Sequence, residues 1–399
     1  MTDRIKVSAP HRARLVVPAV VGLVLALAAV PGFAQRGDID FNRARLLRDR
    51  DLRGESLTPD ERAYLERARA EFQKKQAGVT KDRQGPARDT IGLKPLTDLA
   101  GAARYHGEDG GLYGGGENEP PAAQRAAALR AARQVAPLDA RGRPAPDGKV
   151  VLISVGMSNT TQEFQRFRTL ARRDAALARA LVLVDGAQGG MEALAWAQPE
   201  QTIAAGRPDP WTVLDQRLAQ AGVAPRQVQA AWIKQARANP AALGEFPAHA
   251  EVLRDNLAVI VRKLHNRFPG LKIAYLSSRT YGGRAATPLN PEPYAYESAF
   301  SVRWLIRDQV EGKPGLNADP GKGRVEAPVL LWGPYLWADG LTRRATDGLV
   351  WRRDDLAADG THPGPGGQQK VAELLLRFFK TDPTAKPWFL ENTAAPPGR

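Results

Sequence analysis

Five short apolar runs punctuate the chain after Lys149, at residues 150–155, 181–184, 228–233, 273–277 and 329–332. Stretches with helical spacing separate them, at 164–178, 250–267 and 297–309. A last one, 368–380, carries Val371, Leu374, Leu375, Phe378 and Phe379 on one face. Short apolar strands alternating with helices pack as a parallel sheet covered on both faces. The expected fold is therefore α/β: a three-layer α/β/α domain with a five-stranded parallel, flavodoxin-like sheet, assigned to residues 148–390, with 391–399 as a tail. In such sheets ligands bind outside the carboxyl ends of the strands, so functional residues are sought there.

The preceding stretch, 35–147, lacks a strand pattern and reads as a helical and Gly-rich extension. Within it, Thr58 is an apt N-cap, Pro59 a first helical residue, and Glu61 stands three beyond Thr58, as a capping box requires. Asp49, Asp51, Gly54 and the acids near Asp60 are faintly similar to a calcium-binding helix–loop–helix. Arg53 falls on a ligand position, however, and the spacing is one residue off, which favours a plain capped helical hairpin. The Gly-rich segment 101–121 contains His106, a minor site candidate, but no Gly-Lys-Ser/Thr follows, as a phosphate loop would need. Residues 137–148, rich in Pro, Gly and Asp, read as a linker.

Residues 1–34 have the layout of a cleaved signal peptide. Arg4, Lys6, Arg12 and Arg14 precede an apolar run from Leu15 to Val30, and Pro31-Gly32-Phe33-Ala34 gives a small-x-small exit. A run of this length containing Pro18 is short for a membrane span, so an uncleaved anchor is the weaker alternative. The expected location is outside the cytoplasm, periplasmic or secreted, with no stable membrane insertion after cleavage. Removing the leader's four bases and one acid lowers the formal charge from +14 to +11. That excess is spread out, without a dense basic run interleaved with aromatics, so nucleic acid is not an expected partner.

Residue inventory narrows the chemistry. Without cysteine, thiol nucleophiles, disulfides and thiolate metal sites are excluded. With five histidines in all, a multi-His metal site would consume most of them. No metal or organic cofactor is expected. What remains is oxygen nucleophiles, carboxylates and a few imidazoles.

The first strand runs into Gly156-Met157-Ser158-Asn159-Thr160, placing Ser158 where a helix begins. A serine there stands above the sheet edge near backbone N–H groups, although Ser158 or Thr160 could equally be an N-cap. Near the C-terminus stands Asp359-Gly360-Thr361-His362-Pro363. A carboxylate three residues before an imidazole can accept from Nδ1 and leave Nε2 to take a hydroxyl proton. After the second strand, Asp185-Gly186-Ala187-Gln188-Gly189-Gly190 offers backbone N–H groups for an oxyanion.

This combination resembles the SGNH (GDSL-like) hydrolase superfamily, and the Gly-Met-Ser-Asn and Gly189-Gly190…Trp196 stretches look most like its sialate O-acetylesterase and acetylxylan-esterase branch. The resemblance covers about residues 148–382. It implies Ser158 as nucleophile, His362 as general base, Asp359 as the residue orienting the imidazole, and Gly190 or Gly189 with the Ser158 N–H as oxyanion donors. The superfamily's third block, a Gly-x-Asn-Asp, is absent; Trp232-Ile233-Lys234-Gln235-Ala236 stands in its place. Gln235, or electrostatically Lys234, is the expected substitute.

Arg279 and Tyr281 after the fourth strand, and Trp332 and Trp337 around the end of the fifth, are candidate substrate contacts: aromatics to stack on sugars, Arg279 to grip a carboxylate. Aromatic packing of loops is the alternative. His249 and His265 lie in helical sequence and read as surface or packing residues. The expected function is a secreted serine esterase removing a short, acetyl-type acyl group from a carbohydrate or other small ester. A polysaccharide O-acyltransferase with the same triad, and a non-catalytic carbohydrate-binding protein on this fold, are the alternatives.

Overall fold

The computed structural model describes residues 39–40, 43–44, 47, 56–81, 88–203 and 208–391. The proposed leader, the acids Asp49 and Asp51 with Arg53 and Gly54, and residues 392–399 of the tail lie outside the described residues. The chain divides into two compact units, Met1–Gln73 and Lys74–Arg399.

In the first unit, the sequence Thr58-Pro59-Asp60-Glu61 opens helix α1 (Pro59–Lys81), which continues past the division. The Thr58 N–H donates to Glu61 Oε2 at 2.9 Å and the Glu61 N–H to Thr58 Oγ1 at 3.2 Å, the reciprocal capping expected from their spacing. Leu57, Leu65 and Ala68 bury themselves with Ala44 and Leu47 in a small satellite core. Tyr64 closes it by accepting from the Asp40 N–H at 2.9 Å.

The second unit holds a five-stranded, all-parallel sheet: β1 (Val150–Gly156), β2 (Leu181–Asp185), β3 (Val228–Lys234), β4 (Ile273–Ser277) and β5 (Val329–Trp332). Their order is β2-β1-β3-β4-β5. Every residue of β1, β3, β4 and β5 is buried, which is why these runs are predominantly apolar rather than alternating. The helices that matter here are α2 (Ala122–Arg133), α3 (Ser158–Ala171), α4 (Pro210–Gln220), α5 (Ala248–Arg267), α6 (Tyr294–Val310) and α7 (Pro365–Thr381). Helix α3 packs on α7, and α5 packs on α6. Right-handed crossovers on a sheet of this order put these two pairs on opposite faces, giving the three-layer α/β/α architecture.

Residues 88–147, read from sequence as an extension, belong to the same compact unit as the sheet and pack on it. Leu96 is fully buried, Gln124 of α2 donates to the Leu330 carbonyl at 2.8 Å, and the N–H groups of Ile91 and Gly92 donate to Asp339 at 2.7 and 2.9 Å. The Pro/Gly composition at 137–148 reads as a linker, yet the Leu138 N–H bonds to the Lys149 carbonyl at 3.1 Å and the Lys149 N–H bonds back at 2.8 Å. Among the described residues no helix is long and apolar enough to cross a membrane.

The chain leaves β1 toward β2 on one side and returns to β3 on the other. In open α/β sheets such a reversal, here between β1 and β3, marks the place at the strands' carboxyl ends where ligands bind.

Candidate active site

The turn out of β1 is set by sterics. A Cβ on Gly156 would lie 2.3 Å from Thr160 Oγ1, so only glycine lets the first turn of α3 sit this close to the strand. Ser158 is the first residue of α3. Neither it nor Thr160 acts as an N-cap: Thr160 Oγ1 donates to the Lys234 carbonyl at 2.7 Å, fastening the turn to β3.

Ser158 Oγ lies 2.7 Å from His362 Nε2, and His362 Nδ1 lies 2.5 Å from Asp359 Oδ2. The structure thus brings together the two ends of the domain, 204 residues apart in sequence. The other carboxylate oxygen, Asp359 Oδ1, accepts from the backbone N–H groups of His362 and Thr361 at 2.9 and 3.0 Å. Burial alone would raise the Asp359 carboxyl. The hydrogen bonds and charge of His362, with the Thr361 N–H, outweigh it and hold the group down at about 2. The turn beneath the pair needs Gly360: its φ is +62°, and a Cβ there would lie 1.7 Å from the Arg284 carbonyl oxygen.

A second tie joins the two loops. Asn159 Nδ2 donates to the Thr361 carbonyl at 3.2 Å, so the serine turn and the histidine loop are registered independently of the Ser–His contact. On α3, Glu163 receives both of its carboxylate contacts from Lys234 Nζ, at 2.6 Å each, with both side chains wholly buried. Burial pulls the Lys234 ammonium down to about 8, with Glu163 opposing.

The turn after β2 is equally constrained. Asp185 accepts from Ser154 Oγ at 2.7 Å and from Thr161 Oγ1, which pins β2 to α3. Burial nevertheless raises its carboxyl. The Gly186 N–H donates to Ser154 Oγ at 3.1 Å, fixing the path toward Gly189 and Gly190. A Cβ on Gly189 would lie 3.9 Å from Ser158 Cβ, and Gly190 has φ +78°. Gly189 therefore lies against the serine, and Gly190, the next residue, takes the left-handed conformation that glycine favours.

Two assigned side chains do something else. Lys234 is consumed by Glu163 and is fully buried, so it is not available to an oxyanion. The Gln235 amide donates to the Met191 carbonyl at 3.5 Å, a long bond, and its Oε1 is buried without a partner. The reason is geometric: each residue of β3 is enclosed by neighbours on both faces, so the side chains at its end turn inward onto α3 and the 191–192 turn.

The proposed aromatic contacts are also corrected. Tyr281, Trp332 and Trp337 are all below 5% exposed. Their polar tips serve the protein: the Tyr281 hydroxyl donates to the Arg88 carbonyl at 2.9 Å, Trp332 Nε1 to the Leu112 carbonyl at 2.7 Å, and Trp337 Nε1 to Glu292 at 2.8 Å. Residues 88–113 cover faces that sequence reading left open for sugar. Arg279 is buried too, and its Nε and Nη1 have no hydrogen-bond partner.

The other described histidines stand apart from this relay. His249 is buried and pairs with Glu297 at 2.7 Å, which also accepts from the Tyr105 hydroxyl at 2.5 Å. His106, at φ +47°, sits edge-on to Tyr105 at 4.6 Å in the same aromatic cluster. Its Gly-rich loop docks on α6, through Arg303 to the Asp109 carbonyl at 2.6 Å, and on the end of β5. Burial lowers His265, whose Nδ1 has no partner. Among the described residues no group of three His, Asp or Glu is placed to hold a metal ion.

Sequence patterning does not single out Asn159 or Glu163. A signal for the latter exists: Thr160, Glu163, Phe164 and Phe167 share the buried face of α3, and Lys234 follows the apolar run 230–233 at the end of its strand. A lone acid and a lone base in such surroundings must find each other.

No family model matches the chain, and no curated protein matches it.

Proposed function

We propose that the chain is an exported serine esterase that removes a short, acetyl-type acyl group from a carbohydrate. The observation that carries this reading is the unbroken relay from Ser158 Oγ through the His362 ring to Asp359, at 2.7 and 2.5 Å. Geometry of this kind is that of an activated hydroxyl nucleophile. The acetyl group and the sugar come from the motif resemblance, and export comes from the leader sequence.

In the first half-reaction Ser158 Oγ attacks the ester carbonyl carbon while His362 Nε2 takes the hydroxyl proton. Negative charge gathers on the former carbonyl oxygen, for which the Ser158 and Gly190 N–H groups are the proposed donors. The Ser158 N–H belongs to the first residue of α3, where backbone donors have no intrahelical acceptor. Collapse of the adduct breaks the C–O bond to the alcohol, which leaves with the proton from His362. Water then attacks the acyl-enzyme, giving its proton to His362, and Ser158 recovers that proton as the acid departs. Asp359, held at about 2, stays ionised throughout and steadies the imidazolium.

Hydrolysis of 4-nitrophenyl acetate by the purified chain tests this. Turnover should vanish in Ser158→Ala; activity that survives the substitution would place the chemistry elsewhere. Adding glycan acceptors to the same assay separates hydrolysis from transfer.

A further inference from the structure

The two edges of the sheet are finished differently. The order β2-β1-β3-β4-β5 leaves β2 and β5 each with one side unpaired by a strand. On β5 that side is capped. The Leu330 N–H donates to Gln309 Oε1 at 2.8 Å and its carbonyl accepts from Gln124 Nε2 at 2.8 Å. The Trp332 N–H donates to the Tyr113 hydroxyl at 3.2 Å.

On β2 the register tells which groups point outward. Val150 lies opposite Leu181, and its N–H donates to the Ala180 carbonyl at 2.9 Å. The parallel ladder therefore uses Ala180, Val182 and Val184, and turns the backbone of Leu181, Leu183 and Asp185 away from β1. The Leu181 N–H closes on the Ala178 carbonyl at 3.0 Å, and the Asp185 carbonyl accepts from Arg217 Nη1 at 2.8 Å. Between them, among the described residues, nothing bonds to the Leu181 carbonyl or to either backbone group of Leu183. Natural sheets guard such an edge with a lysine, a proline or a bulge. The sequence Leu181-Val182-Leu183-Val184-Asp185 pairs with β1 without a register shift, and its one charge turns inward to Ser154 and Thr161.

A groove of about 560 Å³ follows this edge. It is lined by the half-buried Leu181, Val182 and Leu183, by Arg168 and Arg172, and by Ala221 just past α4. Right-handed crossovers place α3 and α4 on opposite faces, so the groove spans the edge itself. Arg168 stands in the last turn of α3 and Arg172 just past it. Among the described residues no carboxylate pairs with either. Asp174, which also lines the groove, is held by Lys380 at 2.6 Å. Burial, with repulsion from Arg172 and Arg217, lowers the Arg168 guanidinium.

We propose that β2 is a docking edge for an extended, acidic polypeptide segment of another protein, which joins the sheet as a sixth strand beside Leu183. Its backbone takes up the free Leu183 N–H and the Leu181 and Leu183 carbonyls, and its alternate side chains meet the α3 face, where acids find Arg168 and Arg172. Charge decides against two other occupants. A second copy, pairing its own β2 antiparallel across a two-fold axis, would set these arginines against themselves. Residues 392–399 follow Glu391, whose N–H donates to the Ala176 carbonyl at 2.8 Å at one end of the groove, but they carry two prolines and no acidic side chain. The surface is independent of the esterase reading.

Fluorescence anisotropy of the purified chain with labelled hexapeptides tests the proposal. The probe alternates glutamate and valine, and the first control carries lysine in place of glutamate. Two further controls are the probe N-methylated on every glutamate or on every valine, since one of these sets faces β2 in an added strand. The probe should bind saturably with a Kd below about 1 mM, and the lysine peptide should not bind. At least one methylated form should lose binding. Hydrogen-exchange mass spectrometry should show slowed exchange across 181–185 when the probe is bound. Replacing both arginines, Arg168→Gln with Arg172→Gln, should weaken the probe about 10-fold, the scale of two partly exposed ion pairs, with circular dichroism reporting that the variant is folded. A probe that fails to bind, or a lysine peptide that binds as well, overturns the proposal without any variant. So does equal binding of both methylated forms, which would make the groove a general anion surface, or protection that falls elsewhere than 181–185. Displacement of the probe by tetragalacturonate at the concentration that unlabelled peptide requires would make a polysaccharide the occupant, and would overturn it too.

Discussion

Lys234 Nζ sits 2.6 Å from both carboxylate oxygens of Glu163, and neither side chain has any exposure to solvent. The pair bolts the helix that begins at Ser158 to the central strand, one and a half turns beyond that residue. Its role is to fix geometry, because each charge is spent on the other. Lys234→Met alone should cost roughly 3–5 kcal/mol, since it leaves Glu163 buried and uncompensated. Combining it with Glu163→Leu should restore most of that loss. Urea unfolding of the two single variants and the double variant checks this cycle, and additive losses would contradict it.

The tautomer of His362 is set by Asp359. Asp359→Asn should leave the fold intact and lower kcat about 10⁴-fold, since an amide can turn its donor toward Nδ1 and stabilise the wrong ring form. The same carboxyl carries a stability signature. Its folded value, about 2, lies below the ordinary 3.8, so its contribution is full above pH 4 and is lost as pH falls toward 2. Acid unfolding followed by circular dichroism should be shallower over that window in the Asn variant.

Glu292 titrates in the opposite sense. Burial raises it from 4.5 to about 7, so the folded state holds a proton that the unfolded chain has released. Its contribution is full below pH 4.5 and declines as pH rises through 7, by on the order of 3 kcal/mol. Urea midpoints at pH 5 and pH 8 should differ less in Glu292→Gln than in the wild-type protein. Identical pH slopes would remove Glu292 as the source.

With Lys234 spent and the Gln235 amide on Met191, the oxyanion donors are assigned to backbone. Gln235→Ala should change kcat by less than about 3-fold, well short of the 10²–10³ of a lost donor. Gly190→Ala should cost about 10² or more, because φ +78° strains any residue with a Cβ and displaces the N–H proposed as an oxyanion donor. Steady-state kinetics of the two variants decide between amide and backbone.

Strand positions were legible because buried parallel strands are predominantly apolar; all five runs fall in strands, with ends shifted by at most one residue. Helix α3 is misplaced at both ends, spanning Ser158–Ala171 against the expected 164–178, because its opening turn, Ser158-Asn159-Thr160-Thr161, is polar and apolar spacing first registers at Phe164. Ser158, Asp359 and His362 were legible because their chemistry fixes both residue type and spacing. The fate of Lys234, Gln235, Trp332 and Trp337 was not. It depends on which faces residues 88–147 and α3 happen to cover, and that is decided by contacts distant in sequence. The extent of the sheet's compact unit was hidden for the same reason: Leu96 and Gln124 reveal their burial only once β4 and β5 are in place.

The most direct measurement of the central claim is covalent capture of the nucleophile. A fluorophosphonate reacts only with a serine whose proton an adjacent base removes. After incubation and trypsin digestion, mass spectrometry should find a single adduct on the peptide 150–166, located at Ser158, and His362→Ala should abolish it. An unmodified Ser158 in folded protein, or an adduct indifferent to His362, would contradict the relay as a catalytic device.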